Sequence, residues 1–84
     1  MPTIARFYGI IVQMRLIDKE HNPPHIHAKY NDYEASFLIS TGEIVEGNFP
    51  SKARQLVKEF ILKHQIELLE MWNTQVFRKF PPLE

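Results

Sequence analysis

Apolar and polar residues alternate along the first half of the chain and recur at helical spacing along the second. Ile10, Val12, Met14 and Leu16 interleave with Ile11, Gln13, Arg15 and Ile17, the two-residue period of a half-buried strand. Residues 3–17 are therefore expected to form one strand, with Gly9 marking a bulge or bend. Asp18 to Pro24 reads as a loop, because Pro23 and Pro24 lack ladder donors and Pro23 pushes Asn22 toward extended geometry. The alternation resumes from His25 to Tyr30, with Ile26, Ala28 and Tyr30 on one side. Asn31 and Asp32, which both tolerate positive φ, suit a hairpin turn. Tyr33 to Ser40 alternates again, Tyr33, Ala35, Phe37 and Ile39 facing one way. Thr41-Gly42 turns the chain, and Glu43 to Gly47 makes a short fourth strand.

From Ser51 to Asn73 the period changes. Ser51 is placed to cap a helix by accepting from first-turn N–H groups. At 100° per residue, Ala53, Leu56, Val57, Phe60, Ile61, His64, Leu68, Met71 and Trp72 fall on one stripe, which should cover the sheet. Leu56, Phe60 and Trp72 are expected among the most buried side chains. Leu62, Ile66 and Leu69 lie on the opposite face. They read either as scattered surface apolars or as a second contact face, with another copy of the chain as partner. The tail, 74–84, carries Phe77, Phe80 and Pro81-Pro82 and either docks or stays loose. The expected fold class is α+β in one domain over residues 1–84. It comprises a four-stranded antiparallel meander (sheet 3–48) packed against one long C-terminal helix (51–73), then the tail.

Composition narrows the function classes. Eighty-four residues are too few for the large enzyme scaffolds. Ten basic and ten acidic residues cancel, so no gross field draws the chain to nucleic acid or membrane. The absence of cysteine excludes disulfides, thiolate metal sites and a cysteine nucleophile. Apolar runs are short, Ile10-Ile11-Val12 being among the longest, and the N-terminus lacks a basic leader followed by an apolar stretch. A cytoplasmic protein with no membrane partner is the expectation. No glycine-rich phosphate loop, metalloprotease helix motif, serine nucleophile elbow or helix-turn-helix is present.

The dense feature is Glu20-His21-Asn22-Pro23-Pro24-His25-Ile26-His27, which holds three of the four histidines. Histidine titrates nearest neutral pH and is the commonest metal ligand. On a strand, His25 and His27 share a face with Cβ atoms about 6.5–7 Å apart. Two imidazoles at that spacing can converge on one transition metal such as zinc, with His21 arriving from the loop stiffened by the prolines. Without a metal, the same histidines can move protons or bind phosphate. The third reading gives them no chemistry. If Ile26, Ala28 and Tyr30 face the helix, then His25, His27 and Lys29 line the other sheet face, joined by Gln13 and Arg15. That would be an open, basic surface suited to phosphate or RNA, with Tyr30 or Tyr33 at an edge. The alternative is a plain solvated face. His64, on the helical stripe, is expected to be a hydrogen-bonded core residue paired with Glu67 one turn on.

These residues resemble a known family. Met1-Pro-Thr-Ile-Ala-Arg-Phe-Tyr-Gly-Ile10, His21-Asn-Pro-Pro-His-Ile-His27, Tyr33-Glu-Ala35 and Gly42-Glu-Ile44 look like the small prokaryotic domain-of-unknown-function 4160 family. Leu56-Val-Lys-Glu-Phe60, His64, Glu67, Leu68-Leu69 and Trp72-Asn73 continue the match. The family usually reads Asp-His where this chain has Glu20-His21. The resemblance implies a small cytoplasmic prokaryotic protein, its gene often beside a second small gene in a toxin–antitoxin-like arrangement. Members carry labels either as toxins or as transcriptional regulators. The expected function is that of a toxin-like component acting on RNA or another phosphate-bearing target, with a cognate small protein as partner. His25, His27 and His21 would be the acid–base or phosphate-binding groups, and Arg15, Lys29 and Tyr30 the substrate-binding ones. The alternatives are a non-enzymatic antitoxin or regulator, and a small metal-binding protein.

Overall fold

Tyr8 and Gly9 take left-handed backbone angles, with φ of 49° and 80°. They fold the segment expected as one strand back on itself. Phe7, at the end of β1 (Thr3–Phe7), faces Ile10, at the start of β2 (Ile10–Gln13), across this two-residue turn. Of the bulge or bend expected at Gly9, the chain makes the bend; the register slip lies between Thr3 and Ala5. The computed structural model describes residues 3–14 and 23–81. The expected continuation of the first strand to residue 17, and most of the loop from 18, lie outside the described residues.

Three strands follow: β3 (His25–Tyr30), β4 (Tyr33–Leu38) and β5 (Ile44–Asn48). Asn31, at φ 53°, makes the expected hairpin turn, so Tyr30 sits opposite Tyr33. The sheet has five strands, not four, all antiparallel and in chain order. The extra strand is the product of the Tyr8-Gly9 turn.

The helical stripe is continuous but the helix is not single. It divides into α1 (Ser51–Lys63) and α2 (Gln65–Thr74) at His64, whose backbone sits at φ −115°, ψ 29°. Hydrogen bonds still cross the junction, the His64 N–H donating to Phe60 (3.1 Å) and the Leu68 N–H to His64 (2.9 Å). Gln65 Nε2 donates to the Ile39 and Ser40 carbonyls, each at 2.8 Å, and ties the junction to the chain leaving β4. That long-range tie accompanies the break in a segment lacking glycine and proline. Pro50, not Ser51, occupies the N-cap, and no side-chain hydrogen bond caps α1.

One face of the sheet and the stripe enclose the core. Ile4, Phe7, Ile10, Val12, Met14, Ile26, Ala28, Ala35, Phe37 and Ile39 meet Ala53, Val57, Phe60, Ile61, Leu68, Met71 and Trp72. Phe60 and Trp72 are buried as expected, whereas Leu56 is only partly buried. The tail docks over its described part. The Phe80 N–H donates to the Ile4 carbonyl at 2.7 Å, and the Phe80 ring packs on Phe60 and His64 at centroid distances of 5.3 and 4.7 Å. His64 is partly buried, with Nδ1 3.5 Å from Glu67 Oε1. Among the described residues no helix is long and apolar enough to cross a membrane.

A surface ion pair joins the turn before β5 to α1. Lys58 Nζ donates to Glu43 Oε2 at 2.7 Å, and this hydrogen bond and charge hold the Glu43 carboxyl below its ordinary value. A carboxyl depressed on folding contributes stability above its unfolded pKa, and that contribution is lost as pH falls through the folded one. Carboxyl titration by NMR should show the depression disappear in Lys58→Met. The stability change should be slight, since both side chains are well exposed. An unchanged Glu43 titration would rule Lys58 out as the cause.

Candidate functional site

Pro24 precedes β3, and from His25 the chain pairs with β4: His25 opposite Leu38, His27 opposite Ser36, Lys29 opposite Glu34. The alternation buries Ile26 and Ala28 against the helices, leaving His25, His27 and Lys29 partly exposed. The two imidazoles lie edge to face with ring centroids 5.0 Å apart, so the two-residue spacing brings them together as expected.

Each ring has a distinct second contact. His25 Nδ1 lies 2.8 Å from the Pro23 carbonyl oxygen. A carbonyl only accepts, so Nδ1 carries the hydrogen, and in the neutral ring Nε2 is the acceptor. The His25 ring also lies against Trp72, tilted, at a centroid distance of 5.0 Å. Its orientation is therefore set by the loop before β3 and by the end of α2. His27 Nδ1 lies 3.2 Å from Ser36 Oγ, a pairing that either group can donate.

Pro23, His25, His27, Ser36, Val45 and Glu46 line a crevice of about 200 Å³. A neighbouring hollow of about 270 Å³ shares His27, Ser36 and Glu46 and adds Glu34 and Gly47. Glu46 reaches this position because β5 bulges. Ser36 pairs with Glu46 but Phe37 pairs with Ile44, so Val45 is extra and points outward, 54% exposed. Cross-strand register extends the row to Gln13, opposite His27, whose Oε1 is buried without a hydrogen-bond partner among the described residues.

The expected site residues divide into three groups. His25 and His27 share the crevice, and Lys29 lies two residues along the same strand face. Tyr30 is not with them. It lies against Phe49, ring centroids 6.3 Å apart, and lines a separate cleft beside α1. His21 and Arg15 lie outside the described residues, so the three-histidine ligand set is not on view. Among the described residues no group of three or more histidine, aspartate or glutamate side chains is arranged to hold a metal ion. Nor is the described face the basic surface expected, because Glu34 faces Lys29 and Glu46 faces Ser36 across the strands.

Sequence reasoning missed Ser36, Glu46 and Trp72 as members of the site. Ser36 was readable, since the Asn31-Asp32 turn pairs residues whose numbers sum to those of Tyr30 and Tyr33. Glu46 was hidden by the bulge, and Trp72 by its membership of the core stripe.

The fold is α+β, a helix pair on one face of an antiparallel sheet with a histidine crevice on the other. Residues 9–73 match the model of the family described as domain of unknown function (DUF4160), and the chain belongs to that family. No curated protein and no solved structure matches the chain.

Proposed function

We propose that the protein is the toxin-like component of a two-gene module and acts on RNA or another phosphate ester through the His25–His27 crevice. The observation that carries this reading is the paired imidazoles, 5.0 Å apart, with His25 Nδ1 held by the Pro23 carbonyl. Neutral His25 then offers Nε2 as a base toward a hydroxyl. His27, hydrogen-bonded to Ser36, is the partner that returns a proton to the leaving oxygen or binds the phosphate. Lys29 supplies a cation on the same strand face, and Arg15 and His21 are the further groups assigned to this role. A cytoplasmic location and a cognate small protein as partner belong to the same proposal.

Growth of a bacterial host tests it. Expression of the wild type should arrest growth and fragment RNA, while the His25→Ala/His27→Ala double variant, shown to fold by circular dichroism, should do neither. Arrest by both proteins would sink the proposal. Trp72, the chain's one tryptophan, touches His25 and gives a direct binding readout. Its emission should change on adding single-stranded oligoribonucleotide.

A non-enzymatic binding module is the second reading, favoured by the apolar surface that the helices leave open. Leu62 is 48% and Ile66 82% exposed. Leu69, expected on the same ridge, instead packs partly against the core. Two side chains at about 1.5–3 kcal/mol each reach only the lower part of an association cost of about 4–15 kcal/mol, so a stable dimer needs other surface to join them. Light scattering should show a dimer of the isolated chain that Ile66→Glu dissociates. A dimer indifferent to the substitution would move the interface elsewhere.

A further inference from the structure

A second cleft lies on the helix side of the sheet, away from the histidines. It has a volume of about 510 Å³, within the range of about 300–1,000 Å³ typical of small-molecule sites. Tyr8, Ile10, Tyr30, Lys52, Ala53 and Leu56 line it, with Pro50 at the start of α1. The walls are aromatic and aliphatic, and Lys52 is the one charged residue among them.

Two independent observations single it out. Tyr8 stands at φ 49°, in the left-handed region where a bulky side chain is disfavoured and glycine or asparagine costs little. An aromatic residue, 52% exposed, is thus held in the wall of the cleft at the expense of backbone ease. Second, Lys52 has no hydrogen bond or ion pair among the described residues, and the first turn of α1 contains no acidic residue to neutralise it. An apolar cleft lined by two tyrosines, with Lys52 its one charged lining residue, is complementary to a flat apolar body bearing one negative charge.

We infer that the Tyr8–Tyr30–Lys52 cleft is a binding site for a small aromatic carboxylate. The ring enters between Tyr8, Tyr30 and Leu56, and the carboxylate meets Lys52. Because Tyr30 and the histidines project from opposite sides of β3, ligand here does not fill the His25–His27 crevice. The site stands whether or not that crevice is catalytic.

Phenylpropionate and its uncharged amide are suitable probes, followed by proton–nitrogen correlation spectra of the whole chain. Phenylpropionate should give saturable shifts at residues 8–10, 30 and 50–56, with a dissociation constant on the order of 1 mM or below. The amide should bind about tenfold more weakly to the wild type, and that difference should vanish in Lys52→Gln. Tyr8→Asn should melt at or above the wild-type temperature, since asparagine accepts the turn geometry, yet lose binding about tenfold. Retained folding with lost binding separates a ligand role from a structural one. Absence of saturable shifts, equal binding of acid and amide by the wild type, or undiminished binding by Tyr8→Asn would each overturn the inference.

Discussion

Phe60→Ala should lose about half of the protein's folding free energy. Phe60 is 1% exposed and touches every layer of the fold. Its ring lies 5.1 Å from Phe7 of the sheet, 5.0 Å from His64 at the helix junction and 5.3 Å from Phe80 of the tail. Truncating a buried phenylalanine costs about 3–5 kcal/mol, the lost transfer energy plus a cavity that neighbours only partly fill. At about 0.05–0.15 kcal/mol per residue, a chain of this length has about 4–13 kcal/mol in total. Urea unfolding should therefore show a midpoint near half the wild-type value, and the tail's amide signals should lose dispersion with it. A midpoint within about a tenth of the wild type would place Phe60 outside the core, contrary to the packing argument.

On the proposed reading, His25→Ala should slow cleavage of a single-stranded oligoribonucleotide by about 10²–10⁴-fold, the usual worth of one positioned general acid or base. The effect should appear in single-turnover rate, with oligonucleotide affinity changed far less. Ser36→Ala should cost less than His27→Ala, because it removes a group that orients the ring and leaves the ring itself. An oligonucleotide cleaved by His25→Ala at the wild-type rate would take the acid–base role from this crevice. Binding without cleavage by the wild type would favour the regulator.

Much of the sheet was readable because parity survives where turns are made by residues that favour them. Asn31 accepts positive φ, so the pairing of β3 with β4, and the shared face of His25 and His27, followed from spacing alone. The Tyr8-Gly9 turn was obscured by a tyrosine in a place that asparagine would ordinarily take. The stripe from Ala53 to Trp72 identified the helices' buried face, but the break at His64 accompanies hydrogen bonds from Gln65 to carbonyls about 25 residues away in sequence, beyond the reach of local pattern. The position of Glu46 depends on one extra residue in β5, and a single-residue bulge reverses the face assigned by alternation.

The bond from the Phe80 amide to the Ile4 carbonyl bears on how copies of this chain can meet. β1 and β5 are the two margins of the sheet, and the tail bonds to the first of them at Ile4. Edge-to-edge growth needs two free margins per molecule, one to receive and one to offer. With β1 obstructed, joining through β5 would exhaust itself in a single two-fold pair and could not propagate into a fibre. Detachment of the tail would leave both margins open and turn a terminating geometry into a propagating one.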